Sequence, residues 1–343
     1  MLEKVRVAFV GLGWWSDMLA TAATASDRIA IAACMSRSRA KREAFVNKFG
    51  GVAKDTFDSV IGDPGIDAIV LTTPNSLHAS QCIAAAEHGK HIFIEKPMAL
   101  AVADCQRMIA ATDKAGVVLA TGQNKRRMPM FRKAHDMVKA GAVGTISLIE
   151  ANSSSDIGLT ATPDKWRWSR EESPGGPLTT HTIHHADLLM HLLGTPKRVT
   201  GFARKVCGAM EADDVVNACL EFESGALGYL GGTFMSPTRK YVNLFGTEGL
   251  IFVDEDTGTL YYKKKGASAF EVIGGWEPAI QTRTSLQEEL NEFAACIQDG
   301  TRHETDGRVG MAAVAVIEAI VRSSDTGRAV LMAELLSSGS PLR

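Results

Sequence analysis

The first 123 residues alternate short apolar runs with stretches of helical periodicity. The strand-like runs lie at 5–11, 29–36, 67–73, 90–96 and 116–122. The stretches between them have helical spacing, and several end in glycine, a common residue at helix C-termini. Strands that are apolar on both faces and separated by helices are typical of a parallel sheet covered on two sides. The pattern therefore predicts a doubly wound α/β domain over residues 1–123.

After about residue 124 the periodicity changes. One helical stretch covers roughly 129–141, and further strand patterns follow at 145–154, 198–206, 215–224, 226–234, 241–246, 249–256 and 259–266. Strands that follow one another without intervening helices indicate a mostly antiparallel sheet. Helical stretches at about 181–193, 285–299 and 307–323 are expected to cover one face of that sheet. We therefore predict a second, α+β domain over residues 124–343, with a large open sheet.

Composition narrows the possible partners. The chain has 343 residues, of which 45% are hydrophobic and 22% charged, and its formal net charge is -2. This balance is typical of a compact protein and gives no basic footprint for nucleic acid or for an anionic membrane surface. Six cysteines form no C-x-x-C pair, and no apolar run approaches the ~18 residues of a membrane span. We expect a cytoplasmic, reduced protein with a small-molecule substrate.

The sequence VGLGWWSD follows the first predicted strand and opens a helical pattern. Gly11 and Gly13 form a G-x-G turn, and Ser16 takes the place of a third glycine. In a Rossmann domain such a turn lets the backbone approach a dinucleotide pyrophosphate at the helix N-terminus. We therefore interpret Gly11, Gly13 and the backbone of Trp14 and Trp15 as a cofactor loop, with an ordinary tight turn as the alternative. The Trp15 indole is expected either to wall the nicotinamide pocket or to pack in the core.

The end of the second predicted strand bears on the choice of nucleotide. In a Rossmann domain the adenosine ribose lies there, and an acidic residue would bind the free hydroxyls of NAD. This chain instead has Ser36 and Arg37, a hydroxyl and a guanidinium suited to a 2′-phosphate. The pattern favours NADP, with NAD as the alternative.

Several further motifs identify a family. They are DAIVLTTPNSLH (67–78), EKP (95–97), RRMPMFRKAHDMVKAGAVGTI (126–146), WRW (166–168), GGPLTTHTIHHADLLMHLLG (175–194), LFGTEGLIFVD (244–254) and SSDTGRAVLM (323–332). In this order and spacing the chain resembles the glucose–fructose oxidoreductase and inositol dehydrogenase family, Gfo/Idh/MocA. The resemblance covers essentially the whole chain and implies a nicotinamide-dependent oxidoreductase of sugars or cyclitols.

The resemblance assigns roles to residues of the first domain. It implies that Lys96, between Glu95 and Pro97, is a catalytic residue that touches the substrate hydroxyl. It also implies a cofactor-binding set, which consists of Thr73, Pro74, Asn75, His78, Glu95 and Lys96. For His78 the alternative is a residue at a helix start that binds no ligand. A residue before proline is restricted to extended geometry, so Lys96 is held in one direction.

The second domain carries the main departure from the family pattern. Its usual motif is D-x-x-x-H-x-x-D, and the spacing here aligns His184 with the histidine and Asp187 with the last aspartate. The leading aspartate is replaced by Thr180, which cannot accept a proton at neutral pH. Either Lys96 and His184 suffice, or His181 or His185 compensates.

Substrate and metal remain to be assigned. We expect substrate contacts from a set that consists of Lys96, Arg126, Trp166, Thr180, His181 and His184, with Arg127, Arg167 and Trp168 as further candidates. For Trp166 and Trp168 the alternative is packing in the core. Aromatic faces beside hydrogen-bonding groups suit a sugar or polyol. We expect no metal, because the histidine helix brings no carboxylate or cysteine to the face that His181 and His185 share.

These observations lead to one principal function and two alternatives. The principal one is an NADP-dependent (or NAD-dependent) dehydrogenase or reductase acting on CH–OH groups of a sugar or cyclitol, with His184 as the base and Lys96 as the orienting ammonium. The alternatives are a dehydrogenase of an aromatic dihydrodiol or semialdehyde, and a non-catalytic sensor of NADP. The resemblance also implies a homo-oligomer, a dimer or tetramer.

Overall fold

The computed structural model describes residues 3–337. The described residues form two compact units: one contains residues 3–124 together with Arg283–Met311, and the other contains Lys125–Thr282 together with residues 312–337. Over the described residues, no helix is both long and apolar enough to cross a membrane.

Fifteen strands are present in the described chain. They are β1 (Val5–Val10), β2 (Ile29–Met35), β3 (Val52–Lys54), β4 (Ala68–Leu71), β5 (His91–Ile94), β6 (Leu119–Thr121), β7 (Ile146–Ser154), β8 (Pro196–Arg204), β9 (Val215–Phe222), β10 (Leu227–Thr233), β11 (Arg239–Gly246), β12 (Gly249–Asp254), β13 (Thr259–Lys264), β14 (Glu271–Gly275) and β15 (Val330–Leu331).

The helices alternate with the strands in the first unit and are sparser in the second. They are α1 (Trp14–Thr24), α2 (Arg39–Phe49), α3 (Phe57–Ile61), α4 (His78–Glu87), α5 (Val102–Ala115), α6 (Pro129–Lys139), α7 (Ile157–Thr160), α8 (Ile183–Leu193), α9 (Pro278–Asp299), α10 (Gly307–Thr326) and α11 (Met332–Ser337). Three 3₁₀ turns (Asn75–Leu77, Asn124–Arg127 and Trp166–Trp168) and one π-helical turn (Leu178–Thr182) complete the set.

The first unit is the predicted doubly wound Rossmann domain. Its six parallel strands lie in the order β3-β2-β1-β4-β5-β6. Strand β4 is buried along its whole length, as expected of a sheet with helices on both faces. Since all six strands run the same way, the residues that follow β1, β2, β4, β5 and β6 meet at one edge.

The second unit is built on a nine-stranded sheet in the order β14-β13-β12-β11-β7-β10-β9-β8-β15. The prediction of a mostly antiparallel open sheet is confirmed, and the exception is the parallel pair of β7 and β10. Burial alternates along β8 and β9. One face is therefore covered, with α8 packed on β7 and α6 on β12, and the other face is open.

Two features of the fold differ from the sequence-based expectations. Strands β3, β14 and β15 were not predicted, because β3 and β14 contain no buried residue and β15 has only two residues. Segment 283–311, which we expected in the second domain, packs with the first unit. Leu286, Leu290 and Phe293 join the core beneath the parallel sheet.

Candidate active site

The loop after β1 has the backbone that a dinucleotide requires. Gly11 adopts φ 91°, and a Cβ there would lie 2.7 Å from the carbonyl of Thr72. Only glycine fits this turn, where β1 and β4 run side by side. Gly13 is the N-cap of α1 and supplies no side-chain cap. The first N–H groups of the helix are thus left uncapped, which fits the binding of a phosphate group.

The two tryptophans of this loop differ in their surroundings. The Trp14 side chain is 67% exposed. Trp15 is half-buried against the core of the first unit, and its indole Nε1–H donates to Oε1 of Glu95 at 2.5 Å. Ser16, at the position of the third glycine, is fully buried. Trp15 therefore combines core packing with a polar contact that the sequence did not reveal.

Of the three arginines that follow β2, one has no carboxylate partner among the described residues. Arg39 pairs with Glu43, and Arg42 pairs with Asp55 and donates to the carbonyl of Ser36. Arg37 is exposed, and across residues 3–337 no ion pair or hydrogen bond engages its guanidinium. Arg37 is thus available to a ligand at the carboxyl edge of the sheet.

The segments after β4 and β5 are joined by His78. Its Nδ1 lies 2.8 Å from the carbonyl oxygen of Pro97, and its Nε2 lies 3.0 Å from that of Thr73. His78 and Asn75 are buried, and Pro74 precedes the 3₁₀ turn that contains Asn75. His78 thus contacts the backbone of both segments, and a direct contact with cofactor remains a prediction.

Glu95, Lys96 and Pro97 follow β5 at the same edge. The Lys96–Pro97 peptide bond is cis. Glu95 is 6% exposed, and burial raises the pKa of its carboxyl, although the charge of Lys96 and hydrogen bonds from the Trp15 indole and the Lys96 backbone N–H oppose this. Lys96 itself is half-buried. A carboxylate and an ammonium thus lie side by side next to the cofactor loop.

The candidate residues of the second unit lie around a π-helical turn. This turn, Leu178–Thr182, runs directly into α8, and π-turns inside helices occur frequently at functional sites. Thr180 is buried, with its hydroxyl 3.3 Å from that of Ser173. His181 packs edge-on against Phe234, at 5.6 Å between ring centroids. His184 is buried in the first turn of α8.

Arg126 and Asp187 form a buried ion pair within the second unit. Nε of Arg126 donates to Oδ2 of Asp187 at 2.9 Å, and Nη2 donates to Oδ1. The guanidinium that we expected to contact substrate is therefore engaged by the trailing aspartate of the histidine helix. A substrate contact by Arg126 remains a prediction, while its role in anchoring α8 is visible.

A second charged cluster was missed by sequence reasoning. Glu255 follows β12 and pairs with Lys125, and its Oε1 lies 2.5 Å from Nε2 of His185. Burial alone would raise the pKa of Glu255, but Lys125 and His185 outweigh it and lower the pKa. Burial, reinforced by Lys125, lowers the pKa of His185. The partners are far apart in sequence, and no local motif indicates them.

The WRW segment forms a short 3₁₀ turn of half-buried side chains. The Arg167 guanidinium lies 4.3 Å from the centroid of the Trp166 ring, in a cation–π contact. Trp168 packs on a small core formed by Met210, Ala212 and Phe234. Trp168 is thus a packing residue, and a contact between Trp166 and substrate remains a prediction.

The described residues, 3–337, contain no group of three or more histidine, cysteine or acidic side chains that could hold a metal ion. The first unit offers an uncapped helix N-terminus, an arginine and an ammonium at one sheet edge. The second unit offers an imidazole at the start of a buried helix. These groups suit a phosphorylated nucleotide and proton transfer at a hydroxyl.

Comparison with known proteins gives two family matches. Residues 5–123 match the model described as "Oxidoreductase family, NAD-binding Rossmann fold", and residues 131–252 match the "GFO/IDH/MocA C-terminal domain". Both matches fall on the units that the structure separates.

Individual relatives agree with these matches. The chain is 28% identical to a 1,5-anhydro-D-fructose reductase of Ensifer adhaerens over 87% of this chain and 90% of the relative. It is 31% identical to a scyllo-inositol 2-dehydrogenase (NAD(+)) of Bacillus subtilis, with 88% of each covered. The solved aldose-aldose oxidoreductase from Caulobacter crescentus, complexed with glycerol, superposes with a TM-score of 0.86 at 26% identity, covering 96% of this chain and 100% of that one.

Proposed function

The chain belongs to the GFO/IDH/MocA family of NAD(P)-dependent oxidoreductases of sugars and cyclitols, and from this premise we propose that it transfers hydride between NADP and a carbinol or carbonyl carbon of a sugar or polyol. The observation that carries the proposal is the Glu95-Lys96-Pro97 segment, which follows β5 at the sheet edge where the loop of Gly11 and Gly13 also lies.

Lys96 and His184 are the proposed catalytic residues. The bound nicotinamide nucleotide supplies the hydride acceptor. Lys96 holds the substrate hydroxyl as an ammonium and stabilises negative charge as it develops on the oxygen. His184 takes the hydroxyl proton, and because its Nδ1 is covered we assign that proton to Nε2. In the reduction of a carbonyl, Lys96 again stabilises the oxygen as an ammonium, and His184 starts protonated and donates the proton to that oxygen.

The nucleotide is held by the first unit in this proposal. Gly11, Gly13 and the start of α1 bind the pyrophosphate through backbone N–H groups. Arg37 and Ser36 bind the 2′-phosphate, which favours NADP over NAD. Thr73, Pro74 and Asn75 line the path of the cofactor beyond the pyrophosphate.

Thr180 replaces the family's leading aspartate, so the proposed mechanism has to work without a carboxylate at this position. His185 is engaged with Glu255, so we propose that Lys96 and His184 act without a carboxylate partner from this position. Trp166 and His181 are proposed to contact the substrate ring.

One assay tests the function against its alternatives. The protein is mixed with NADP⁺ or NAD⁺ and a panel of sugars, cyclitols and aromatic dihydrodiols, and absorbance of reduced nicotinamide is followed. Turnover of sugars or cyclitols supports the proposal, and turnover of dihydrodiols alone favours the aromatic alternative. Tight nucleotide binding with no turnover of any substrate would favour the sensor. The replacement of the family's aspartate by Thr180 is the reason to test this alternative.

A further inference from the structure

Lys240 is a charged residue on the covered face of the nine-stranded sheet. It lies in β11 two and four residues before Val242 and Leu244, which are both fully buried, so its side chain is on their side of the sheet. Its pairing partner in β7 is Ser153, which is also fully buried. Cross-strand partners have Cβ atoms about 5 Å apart, so the half-buried lysine and the serine lie side by side on this face.

The ammonium of Lys240 has no acceptor in the described chain. No hydrogen bond or ion pair with any of these residues engages its Nζ. Glu255 is its neighbour across β11 and β12, because the Glu255 backbone N–H donates to the carbonyl of Lys240 at 3.1 Å. The carboxylate oxygens of Glu255, however, are engaged by Lys125 and His185. Asp256 accepts from the backbone N–H of Lys240 at 3.1 Å and not from its ammonium.

The electrostatics of this position agree with an incompletely paired cation. Burial lowers the pKa of Lys240, and the positive charge of Lys125 acts in the same direction. The charges of Glu255 and Asp256 oppose this shift without cancelling it. A further negative group beside the ammonium would therefore be stabilised there.

Two buried hydroxyls near Lys240 also have no partner. The side chains of Ser153 and Thr182 are fully buried, and neither hydroxyl has a hydrogen-bond partner in the part of the chain that the structure describes. Thr182 is the last residue of the π-helical turn, and Gly232 of β10 lies between the two. A Cβ at Gly232 would be 2.4 Å from the Ser153 carbonyl oxygen and 3.4 Å from Oγ1 of Thr182. Since buried polar groups are normally paired, two such hydroxyls and an ammonium in one place indicate a polar ligand.

We propose that Lys240 binds a carboxylate group of the substrate, so that the substrate is a sugar acid rather than a neutral sugar. This inference rests on the proposed function and names the substrate class for it. The π-helical turn that ends at Thr182 also carries Thr180 and His181. Lys240 and Ser153 therefore adjoin the turn from which we expect substrate contacts.

A carboxylate fits this position better than a phosphate does. One ammonium provides donors for both oxygens of a carboxylate and balances its single charge. A phosphate monoester carries about 1.5 to 2 negative charges at pH 7, and Glu255 and Asp256 would repel the part that Lys240 does not balance.

The experiment compares sugars with their own uronic acids. The wild type is assayed with glucose, galactose and mannose, with the three corresponding uronates and with glucose 6-phosphate, each with NADP⁺ or NAD⁺. We expect a kcat/KM at least about tenfold higher for a uronate than for its parent sugar, since a charge-assisted hydrogen bond is worth about that much. A preference for the neutral sugars, or for glucose 6-phosphate over glucuronate, would overturn the proposal.

Lys240→Met tests the residue itself, because methionine keeps much of the length of the side chain but not the ammonium. Its kcat/KM for the uronate should fall about tenfold to a hundredfold, mainly through KM, while that for the parent sugar changes little. Lys240→Gln is a second neutral variant in case Lys240→Met does not fold. Lys197→Met is the matched control, because Lys197 is an exposed lysine of β8 in the same sheet. Equal losses for the uronate and its parent sugar in Lys240→Met would reject the contact.

Calorimetric titration separates this inference from the proposed function. The three uronates are titrated into the wild type and into Lys240→Met, with and without NADPH. A uronate that binds the wild type, binds the variant at least about tenfold more weakly and is never oxidised rejects the proposed function but leaves the carboxylate site standing. Oxidation of neutral sugars with no binding of uronates rejects the carboxylate site but leaves the proposed function standing. If no uronate is bound or oxidised, the inference is wrong.

Discussion

At the scale of single residues, the arginines after β2 differ in their partners. Arg39 and Arg42 have carboxylate partners in Glu43 and Asp55, whereas Arg37 is exposed without one among the described residues. A guanidinium without an internal partner can give its full set of donors to a phosphate. The sequence indicated a basic segment, and the structure singles out one member of it.

The first prediction concerns the nucleotide. Arg37→Ala should raise the Kd for NADP about tenfold to a hundredfold, as expected for the loss of charge-assisted hydrogen bonds. The Kd for NAD should change little, because NAD has no 2′-phosphate. Fluorescence titration with both nucleotides measures this. Arg39→Ala, which removes an arginine already paired with Glu43, is the control, and equal losses for NADP in both variants would speak against a specific role of Arg37.

A second prediction concerns Lys96. Lys96→Met keeps much of the length of the side chain but removes the ammonium, so kcat should fall about a hundredfold to a thousandfold, as for other donors to a developing oxyanion. Nucleotide binding should remain measurable by the same titration. Steady-state rates near those of the wild type would remove Lys96 from the mechanism.

Residue types could be predicted from sequence, but their partners could not. The motifs pointed to Lys96, Arg126 and His184, yet the ion pair of Arg126 with Asp187 spans 61 positions. Such a pairing depends on how α8 packs, which no local pattern encodes. The Trp15–Glu95 bond spans 80 positions and was hidden for the same reason.

At the scale of elements, α8 and β12 are joined by the cluster of Lys125, His185 and Glu255. The lowered pKa of His185 means that its imidazole stays neutral in the folded protein and donates its Nε2–H to the carboxylate. The unfolded chain takes up a proton at His185 near its ordinary value of 6.5. Stability from this group is thus fully present above that pH and declines below it.

The third prediction follows from this linkage. Below about pH 6.5 the free energy of unfolding should fall by up to about 1.4 kcal/mol per pH unit for this one proton. The lowered pKa of Glu255 should add a further loss below its ordinary value of 4.5. His185→Gln keeps a donor for Glu255 but does not titrate, so its decline between pH 6.5 and 5 should be shallower.

Urea unfolding followed at several pH values measures these slopes. His88→Gln is a suitable control, because His88 is exposed in the first unit and its removal should leave the wild-type slope unchanged. Parallel slopes for the wild type and His185→Gln would contradict the role assigned to the cluster.

Elements with strong periodicity were predicted well, and short ones were not. The strands of the parallel sheet were indicated by apolar runs, except for the three residues of β3. The helix predicted at about 181–193 begins inside a π-turn, Leu178–Thr182. This turn was not predicted, because the residues GGPLTT have no periodicity that distinguishes a π-helix from an α-helix. Propensity gives the type of an element, while tertiary packing fixes its ends.

At the scale of the whole molecule, the nine-stranded sheet has an open face. The open face is defined here by Tyr229, Tyr241, Phe245, Phe252, Tyr261 and Val272, which the strand register places on one side. Phe252 stacks on Tyr261 at 5.5 Å, and Val272 is 61% exposed. Aromatic side chains on an uncovered sheet face are typical of an interface, and we propose that a second copy of the chain covers this face.

The fourth prediction tests that assembly. Sedimentation should give a dimer or larger for the wild type, and Phe252→Lys should reduce the mass by placing a charge in the interface. Val52→Lys is the matched control, because Val52 is 59% exposed on β3 of the first unit and lies outside the open face. A monomeric wild type at micromolar concentration would exclude the proposed interface.

The return of segment 283–311 to the first unit has a consequence for biosynthesis. Leu286, Leu290 and Phe293 fill the core beneath β1 and β5, and Phe293 meets Phe93 at 5.8 Å between ring centroids. On the ribosome, this core cannot be completed when residue 124 emerges. Residues 283–311 are translated after the strands β7 to β14, so until then the apolar surface that Leu286, Leu290 and Phe293 cover in the folded protein is exposed to aggregation.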